Sequence, residues 1–589
     1  MSKKFKNKNP SNEKINEVIE YFHMKKFKKA QFLAENISIE FPSHPISWKI
    51  LGLLYLMNGE LNKALIANQT ATKLVPNSTE ILNNLSITFY KLGKFNNAIM
   101  YAKKALDIDP NFDPAYAILS DIFKEKKQFN DANLYLKRAI KINPNNTAYY
   151  LSLAEIKHKL DKTSEAILMY QKVVDLNPDY YQSYLNIGNL LTETKKFKEA
   201  EDTYNKFIKI KPDLDLGYLN LANLQKTLNR YKDAINNYLK AIKINPNQSE
   251  SYYNLANTFL IIGEMNKAKL NYEKAIEIDP TNPKFISNKL LILNYHPDLN
   301  QKYIYEQHLL FDKHFTNNKT KLISKTKNHN LNKKLKIGYV SPDFRRHSVA
   351  FFFESLIKNH DDKFVDIFCY YNNDIIDETT KRIKNYCKNW RLIFNKSKEQ
   401  VIQMIQDDKI DILVDLCGHM AGNSLLVFAS KPAPLQITYL GYPSTTGMSA
   451  IDYRITDKIA DPEGSSDLFY TERLIRVSKC FLCYSGNDDF IIKDTIPLHN
   501  NNYVTFGSFN NFKKINSIVI EVWSNILKSM PKSKLILKNS GTDQYSEFIL
   551  NKFYDKGVNI DNIFIYNKIP EIRDHMNLYN TIDIALDTF

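Results

Sequence analysis

"SYYNLANTFLIIGEMNKAKLNYEKAIEIDP", residues 251–280, decides how the first half of the chain folds. Apolar residues recur at helical spacing on both sides of a break at Gly263, so the stretch reads as two amphipathic helices joined by a turn. Ala268 is small where the two helices would cross closely, and Pro280, which has no N–H to donate, ends the second. The same grammar recurs upstream. Prolines stand at 42, 76, 110, 144, 178, 212, 246 and 280, always 34 residues apart. Twelve residues before each lies an alanine: Ala30, Ala64, Ala98, Ala132, Ala166, Ala200, Ala234 and Ala268. A second small position, Gly52, Ser86, Ser120, Ala154, Gly188, Ala222 and Ala256, keeps the same step.

A 34-residue period with this alanine and proline resembles the tetratricopeptide repeat, a helix-turn-helix unit that stacks into a superhelix. Residues 1–280 are therefore expected to hold about eight repeats, with the segment before Ala30 a divergent or partial first one. Asparagines are phase-locked to the array: Asn186 and Asn189, Asn220 and Asn223, Asn254 and Asn257. Spacing of i, i+3 puts each pair on one helix face. In a superhelix that face lines the concave groove. A ladder of primary amides there would grip an extended polypeptide without reading its sequence, because an amide both donates to and accepts from backbone.

At 589 residues the chain exceeds a single core, and 43% hydrophobic residues exclude global disorder. No apolar run reaches the roughly 18 residues of a membrane span, and "MSKKFKNKNPSNEK" lacks a signal peptide's apolar centre. A cytoplasmic protein with no membrane partner is expected. The five cysteines fit a reducing compartment. "CFLC" (480–483) is a lone CxxC whose apolar interior reads as strand, not as a metal or redox site. The net charge of +16 is spread without a basic stripe, so solvated lysines are expected and no nucleic acid.

After Pro280 come two more helices (281–315) and a polar stretch, 316–334, making 281–334 a helical connector and loop. The pattern then changes type. "LKIGYV", "VDIFCYY", "DILVDL", "LQITYL", "DYRITD" and "RLIRVS" read as strands, with helices at "SVAFFFESLIKNH" and "EQVIQMIQDDK". A second run alternates "YVTFGSF", "SKLILK", "NIFIYN" and "DIALD" with helical segments. Strand-helix alternation implies parallel sheets, here two doubly wound lobes at 335–485 and 486–589, with a ligand cleft at the carboxyl ends of their strands. "DIALD" reads as a short buried strand.

"IGYVSPDFRRHSVAFFFE", "DILVDLCGHMAGN", "KPAPLQITYLGYPSTTGMSAIDYRITDKIADP", "CFLCY" and "VTFGSFNNFKKI" resemble the catalytic region of the O-linked N-acetylglucosamine transferase and SPINDLY family, nearer SPINDLY. The resemblance implies an α superhelix followed by α/β, two Rossmann-like lobes of the GT-B kind, the second incomplete. It implies inverting, metal-independent transfer of a sugar to Ser/Thr of proteins. The donor is N-acetylglucosamine from UDP-GlcNAc or fucose from GDP-fucose, and no other cofactor is expected.

Lys514, between strand and helix in "FNNFKKIN", matches the family's diphosphate-contacting lysine, and Asn511 a polar residue lining that site. An ammonium beside a helix N-terminus can share an anion with it. His347 matches the active-site histidine, as base or as anchor for the donor, the bland alternative being a helix-capping histidine. His308 matches a second family histidine on weaker flanks. Thr446 and Gly447 in "GYPSTTG" would let backbone approach the sugar. Asp488 and Asp489 read as a charged loop rather than a metal site. The partners the resemblance implies are a protein or peptide acceptor and a nucleotide sugar, with pairing to a second copy through the repeats left open. The family's pattern continues past "DIALDTF" into a Gly/Thr-rich turn and a phosphate-holding helix. The second reading is therefore a truncated, catalytically weak peptide-binding scaffold, for which little binding of UDP or GDP is expected.

Overall fold

The computed structural model describes residues 9–316, 334–486, 493–539, 543–566, 569 and 571–588. Asp488, Asp489 and most of the polar stretch 316–334 lie outside them. The chain divides into two compact units, 1–224 and 225–589.

In the first unit, helices of 13 and 14 residues alternate from Pro45–Met57 and Leu61–Leu74 to Tyr181–Glu193 and Phe197–Ile210. Asn12–His23 and Phe27–Glu40 make a complete helical pair before them. The periodic alanines from Ala30 to Ala200 are all 0% exposed, as a close helix crossing requires. The small partner positions explain themselves too. Ser86 and Ser120 donate their hydroxyls to the carbonyls of Ala98 and Ala132, 2.8 Å each, and a Cβ on Gly188 would sit 2.4 Å from the Tyr204 ring. Helix Phe95–Ile108 shows how the proline acts: the residue before Pro110, Asp109, is already extended (φ −133°, ψ 99°), as a pre-proline residue prefers.

The second unit continues the pattern with Tyr231–Ile244, Ser249–Ile261 and Met265–Ile278. Helices Pro283–Leu293 and Gln301–Phe315 follow as expected, but they are more than a connector. Leu290, Leu293 and Phe311 share one core with Val340, Phe368 and Leu413 of the first sheet. The domain boundary read at 334 therefore falls inside a core, and both helices belong with the first lobe.

That lobe is a seven-stranded, all-parallel sheet in the order β3-β2-β1-β4-β5-β6-β7. Its strands are β1 Leu335–Ser341, β2 Val365–Tyr371, β3 Asn389–Leu392, β4 Ile412–Asp415, β5 Leu435–Tyr439, β6 Tyr453–Asp457 and β7 Arg473–Val477. Apolar cores cover both faces, the second built on Tyr339, Phe353 and Ile383, as parallel strands require. The second lobe pairs β8 Thr505–Ser508, β9 Lys534–Lys538, β10 Ile563–Tyr566 and β11 Ile584–Ala585 in the order β10-β9-β8-β11, also all parallel. Helices Ser517–Ser529 and Asp543–Asp555 bury Trp523, Ile549 and Phe553 against it.

Two strand readings change. "CFLC" is irregular backbone: the Phe481 carbonyl accepts the Tyr439 hydroxyl at 2.6 Å, Cys480 is exposed, and no described residue pairs with the segment as a ladder. β11 is not buried; Ile584 is 46% exposed on an edge strand that pairs only with β8. Among the described residues no helix is long and apolar enough to cross a membrane.

Candidate active site

In each sheet one pair of neighbouring strands is not consecutive in sequence on both sides, and there the loops leave in opposite directions and open a crevice. The switch points are β1/β4 in the first lobe and β8/β11 in the second.

The loop after β1 is built from its own polar groups. Ser341 Oγ accepts the Asp343 N–H at 3.0 Å, and Asp377 Oδ2 accepts the Arg346 N–H at 2.7 Å. His347 caps helix Ser348–Lys358: its Nδ1 accepts the Val349 N–H at 3.3 Å and lies 3.6 Å from the Asp343 carboxylate. The capping role is thus realised, and the imidazole, on the loop after β1, is 27% exposed. Burial holds its pKa below the ordinary 6.5, against the pull of Asp343. Burial likewise raises the Asp343 carboxyl above its usual range.

After β8, Asn511 caps the single turn Phe512–Lys514, and Asn516 caps helix Ser517–Ser529 with a 3.0 Å bond from the Val519 N–H. Lys514 is exposed two residues before that cap, at the positive end of the helix, as read from the sequence. Asn511 is exposed beside it. Ser508, the last residue of β8, has a buried hydroxyl with no hydrogen-bond partner among the described residues.

Three further basic residues converge here that the sequence did not single out. Lys538 ends β9, and its Nζ lies 3.2 Å from Nδ1 of His575, on helix Ile572–Asn577. Burial first, then the charge of Arg346 from the loop after β1, lowers the Lys538 pKa. Burial, Lys538 and Arg346 together lower that of His575. The charges of Lys538 and Arg346, with the neutral His575 imidazole beside them in a half-buried place, suit an anion. Their legible signal was position alone, at the carboxyl ends of strands or just after them.

Other sequence candidates lie elsewhere. Thr446 is 0% exposed: its N–H donates to Glu472 Oε1 at 2.8 Å, its hydroxyl binds the same carboxylate, and its carbonyl accepts from His419 Nε2 at 2.8 Å. Gly447 (φ +70°) faces the backbone of helix Gln301–Phe315, where a Cβ would meet the His308 carbonyl oxygen at 2.3 Å. The expectation that this pair opens backbone to a sugar is replaced by a packing role. His308 is 0% exposed as well. Its Nδ1–H donates to the Ile304 carbonyl at 2.7 Å and its Nε2 accepts the Tyr442 hydroxyl at 2.8 Å, so both nitrogens are used and neither reaches the crevice. Gly447→Ala should accordingly destabilise the second unit by about 2–4 kcal/mol, from a left-handed backbone plus a clash. A urea midpoint within error of the parent would contradict this.

The asparagines occupy first helices of the repeats. In the first unit Asn186 is half-buried and Asn189 exposed, Asn189 Oδ1 accepting the Tyr204 hydroxyl at 2.7 Å; Asn220 and Asn223 follow on helix Asp215–Thr227. In the second unit Asn254 Oδ1 accepts from Lys226 Nζ at 3.3 Å and Asn257 Oδ1 from the Tyr272 hydroxyl at 2.6 Å. At Asn189 and Asn257, then, the amide carbonyl is already engaged by a tyrosine of the same repeat.

Comparison with known proteins follows the same lines. Residues 299–494 match the model of glycosyl transferase family 41, and tetratricopeptide repeat models match segments at 89–156, 147–214 and 227–282. The chain is 36% identical over 308 residues to "Probable UDP-N-acetylglucosamine--peptide N-acetylglucosaminyltransferase SPINDLY" of Hordeum vulgare, covering 51% of this chain and 32% of that protein. The Arabidopsis thaliana protein of the same name is 35% identical, with 51% and 34% covered. The chain thus spans about a third of the length of these curated relatives. Among solved structures, a point mutant of Thermobaculum terrenum O-GlcNAc transferase superposes with a TM-score of 0.63 at 27% identity, covering 69% of this chain and 78% of that one.

Proposed function

We propose, from a chain whose residues 299–494 match the model of glycosyl transferase family 41, that the protein transfers a sugar from a nucleoside diphosphate donor to serine or threonine of a protein. The observation that carries the reading is the meeting of basic groups from both lobes: Arg346 on the loop after β1, with Lys538 at the end of β9 and His575 beside it in the second lobe. A departing diphosphate gains negative charge as the glycosidic bond breaks, and fixed cations in a half-buried place stabilise that charge without reorganising. Lys514 adds an ammonium at a helix N-terminus, where backbone N–H groups favour phosphate oxygens. The relatives are named for UDP-N-acetylglucosamine, which makes that donor the first to test and GDP-fucose its competitor. The acceptor polypeptide is held by amides of the repeats, such as Asn186 and Asn220 in the first unit or Asn254 in the second.

His347 acts in this reading as an anchor. With Nδ1 accepting the Val349 N–H, the neutral ring carries its proton on Nε2, which donates to the donor substrate rather than taking a proton from the acceptor. His347→Gln, which retains a donor of similar reach, should keep activity within about tenfold, whereas His347→Ala should lose about 100-fold. Equal, near-complete loss in both variants would make the imidazole a base instead. The function itself is tested by incubating the protein with isotopically labelled UDP-GlcNAc or GDP-fucose and a mixture of cellular proteins. Label on serine or threonine from one donor supports the reading; transfer from neither overturns it.

A further inference from the structure

A cavity of about 350 Å³ lies beside helix Pro283–Leu293 and the loops that follow β2, β3 and β4, wholly within the second unit. Its lining includes Lys284, Lys396 and Lys398 and, among the described residues, no aspartate or glutamate. Asn288 also lines it, 34 residues after Asn254, so it continues the asparagine register one step beyond the last proline-marked repeat. The amide is held in place, its Nδ2 donating to the Tyr253 hydroxyl at 2.7 Å. Lys284 Nζ sits 5.1 Å above the ring of the same Tyr253, with no carboxylate within ion-pair distance among the described residues. For Lys398 the carboxylate partner is its sequence neighbour Glu399, at 4.0 Å.

We infer that this cavity is a subsite for carboxylate side chains of an extended acceptor polypeptide, at the place where a chain lying along the repeat asparagines reaches the first lobe. The inference rests on the reading of the repeats as the acceptor-binding part. Of the three lysines that line this one concavity only Lys398 has a carboxylate within ion-pair distance among the described residues, and an Asp or Glu side chain of a bound chain supplies charge for the other two. Two helices also begin at the cavity, Pro283–Leu293 and Lys398–Asp408, and the first carries no acidic residue in its opening turn. Their positive ends add to the lysine field. The Lys284 charge is felt as far as Lys226, whose pKa is lowered by burial and then by Lys284. Lys226 in turn donates to Asn254, the preceding amide of the register, so the field and the amides lie along one path. The volume lies at the lower end of ligand pockets, enough for a side chain and its backbone but not for a folded domain.

The test uses the whole chain and two fluorescent peptides of about 12 residues, one with glutamate at alternate positions and one with glutamine in their place. Anisotropy titrations should show the glutamate peptide binding about tenfold more tightly. The preference should disappear in Lys284→Glu/Lys396→Glu, and in the gentler Lys284→Gln/Lys396→Gln, with the glutamine peptide unaffected. It should also fade in high salt, because the lysine heads are exposed and screened. If both peptides bind the parent equally, through Asn186 and Asn220, the cavity inference falls and the repeat reading stands. A glutamate preference that survives both lysine variants likewise overturns it. If neither peptide binds, both readings fall together.

Discussion

Lys514→Ala should lower the rate of sugar transfer about 100- to 1000-fold, the cost of losing one positioned group that stabilises charge only in the transition state, or about 2.7–4 kcal/mol. The expectation rests on where the residue stands. It is exposed at the mouth of the second lobe's switch point, just before the Asn516 cap, and makes no ion pair with a described carboxylate. Its removal therefore takes away charge without taking away packing. Initial rates with labelled donor, set beside an unchanged melting temperature, are the measurement. A folded Lys514→Ala protein that retains most of the parent's turnover would remove the residue from the chemistry and leave Arg346, Lys538 and His575 to hold the diphosphate.

Acidification should weaken the second unit by about 3–4 kcal/mol between about pH 7 and pH 5, through two buried histidines. His308 and His419 are both 0% exposed, with rings 5.4 Å apart. Burial pushes His308 down to about 4 and His419 down to about 3, from the ordinary 6.5. Every polar contact they make suits the neutral form. His419 Nδ1 accepts the Ser287 hydroxyl at 3.0 Å, while Tyr442 both donates to His308 and accepts from Asn294 at 2.9 Å. Because the folded pKa values are depressed, the unfolded chain binds more protons below 6.5. Stability is fully present above that value and is lost as pH falls toward the folded values. Each histidine contributes about 2 kcal/mol over the two-unit interval. Urea midpoints of the parent should fall on acidification more steeply than those of His308→Gln/His419→Gln, and parallel pH profiles would refute the assignment.

The repeats were legible because their physics is local and periodic. A residue that must be small at one helix crossing must be small at every crossing, and the alanine register survives in the structure as a row of fully buried positions. The parallel strands were legible because burial on both faces writes them as apolar runs. β3 was missed since "NWRL" is an edge strand of four half-polar residues with neither a run nor an alternation to betray it. Lys514 and His347 were singled out because the motifs around them resemble the family's, and the structure puts each beside a strand-to-helix turn. His308 and Thr446 could not be judged from their neighbours. Their partners, Tyr442 and Glu472, lie 134 and 26 residues away, and only those distant groups turn candidate substrate ligands into buried structural ones. Lys538 and His575 were invisible for the same reason: a lysine at the end of "SKLILK" acquires meaning only when Arg346 is brought opposite from another lobe.

The core shared by Leu290, Leu293 and Phe311 with the first sheet sets a limit on how such a gene can change. A repeat whose faces touch only its neighbours can be duplicated or deleted as a 34-residue block, since the step restores the same contacts on either side. The two helices after Pro280 have no such freedom, because one face of each is committed to strands more than 20 residues downstream. Relatives are therefore free to differ in the number of upstream hairpins, and a recombination event that joins these repeats to a different partner would have to break upstream of Pro283. The helices look like the end of the array, but in inheritance they travel with the first lobe.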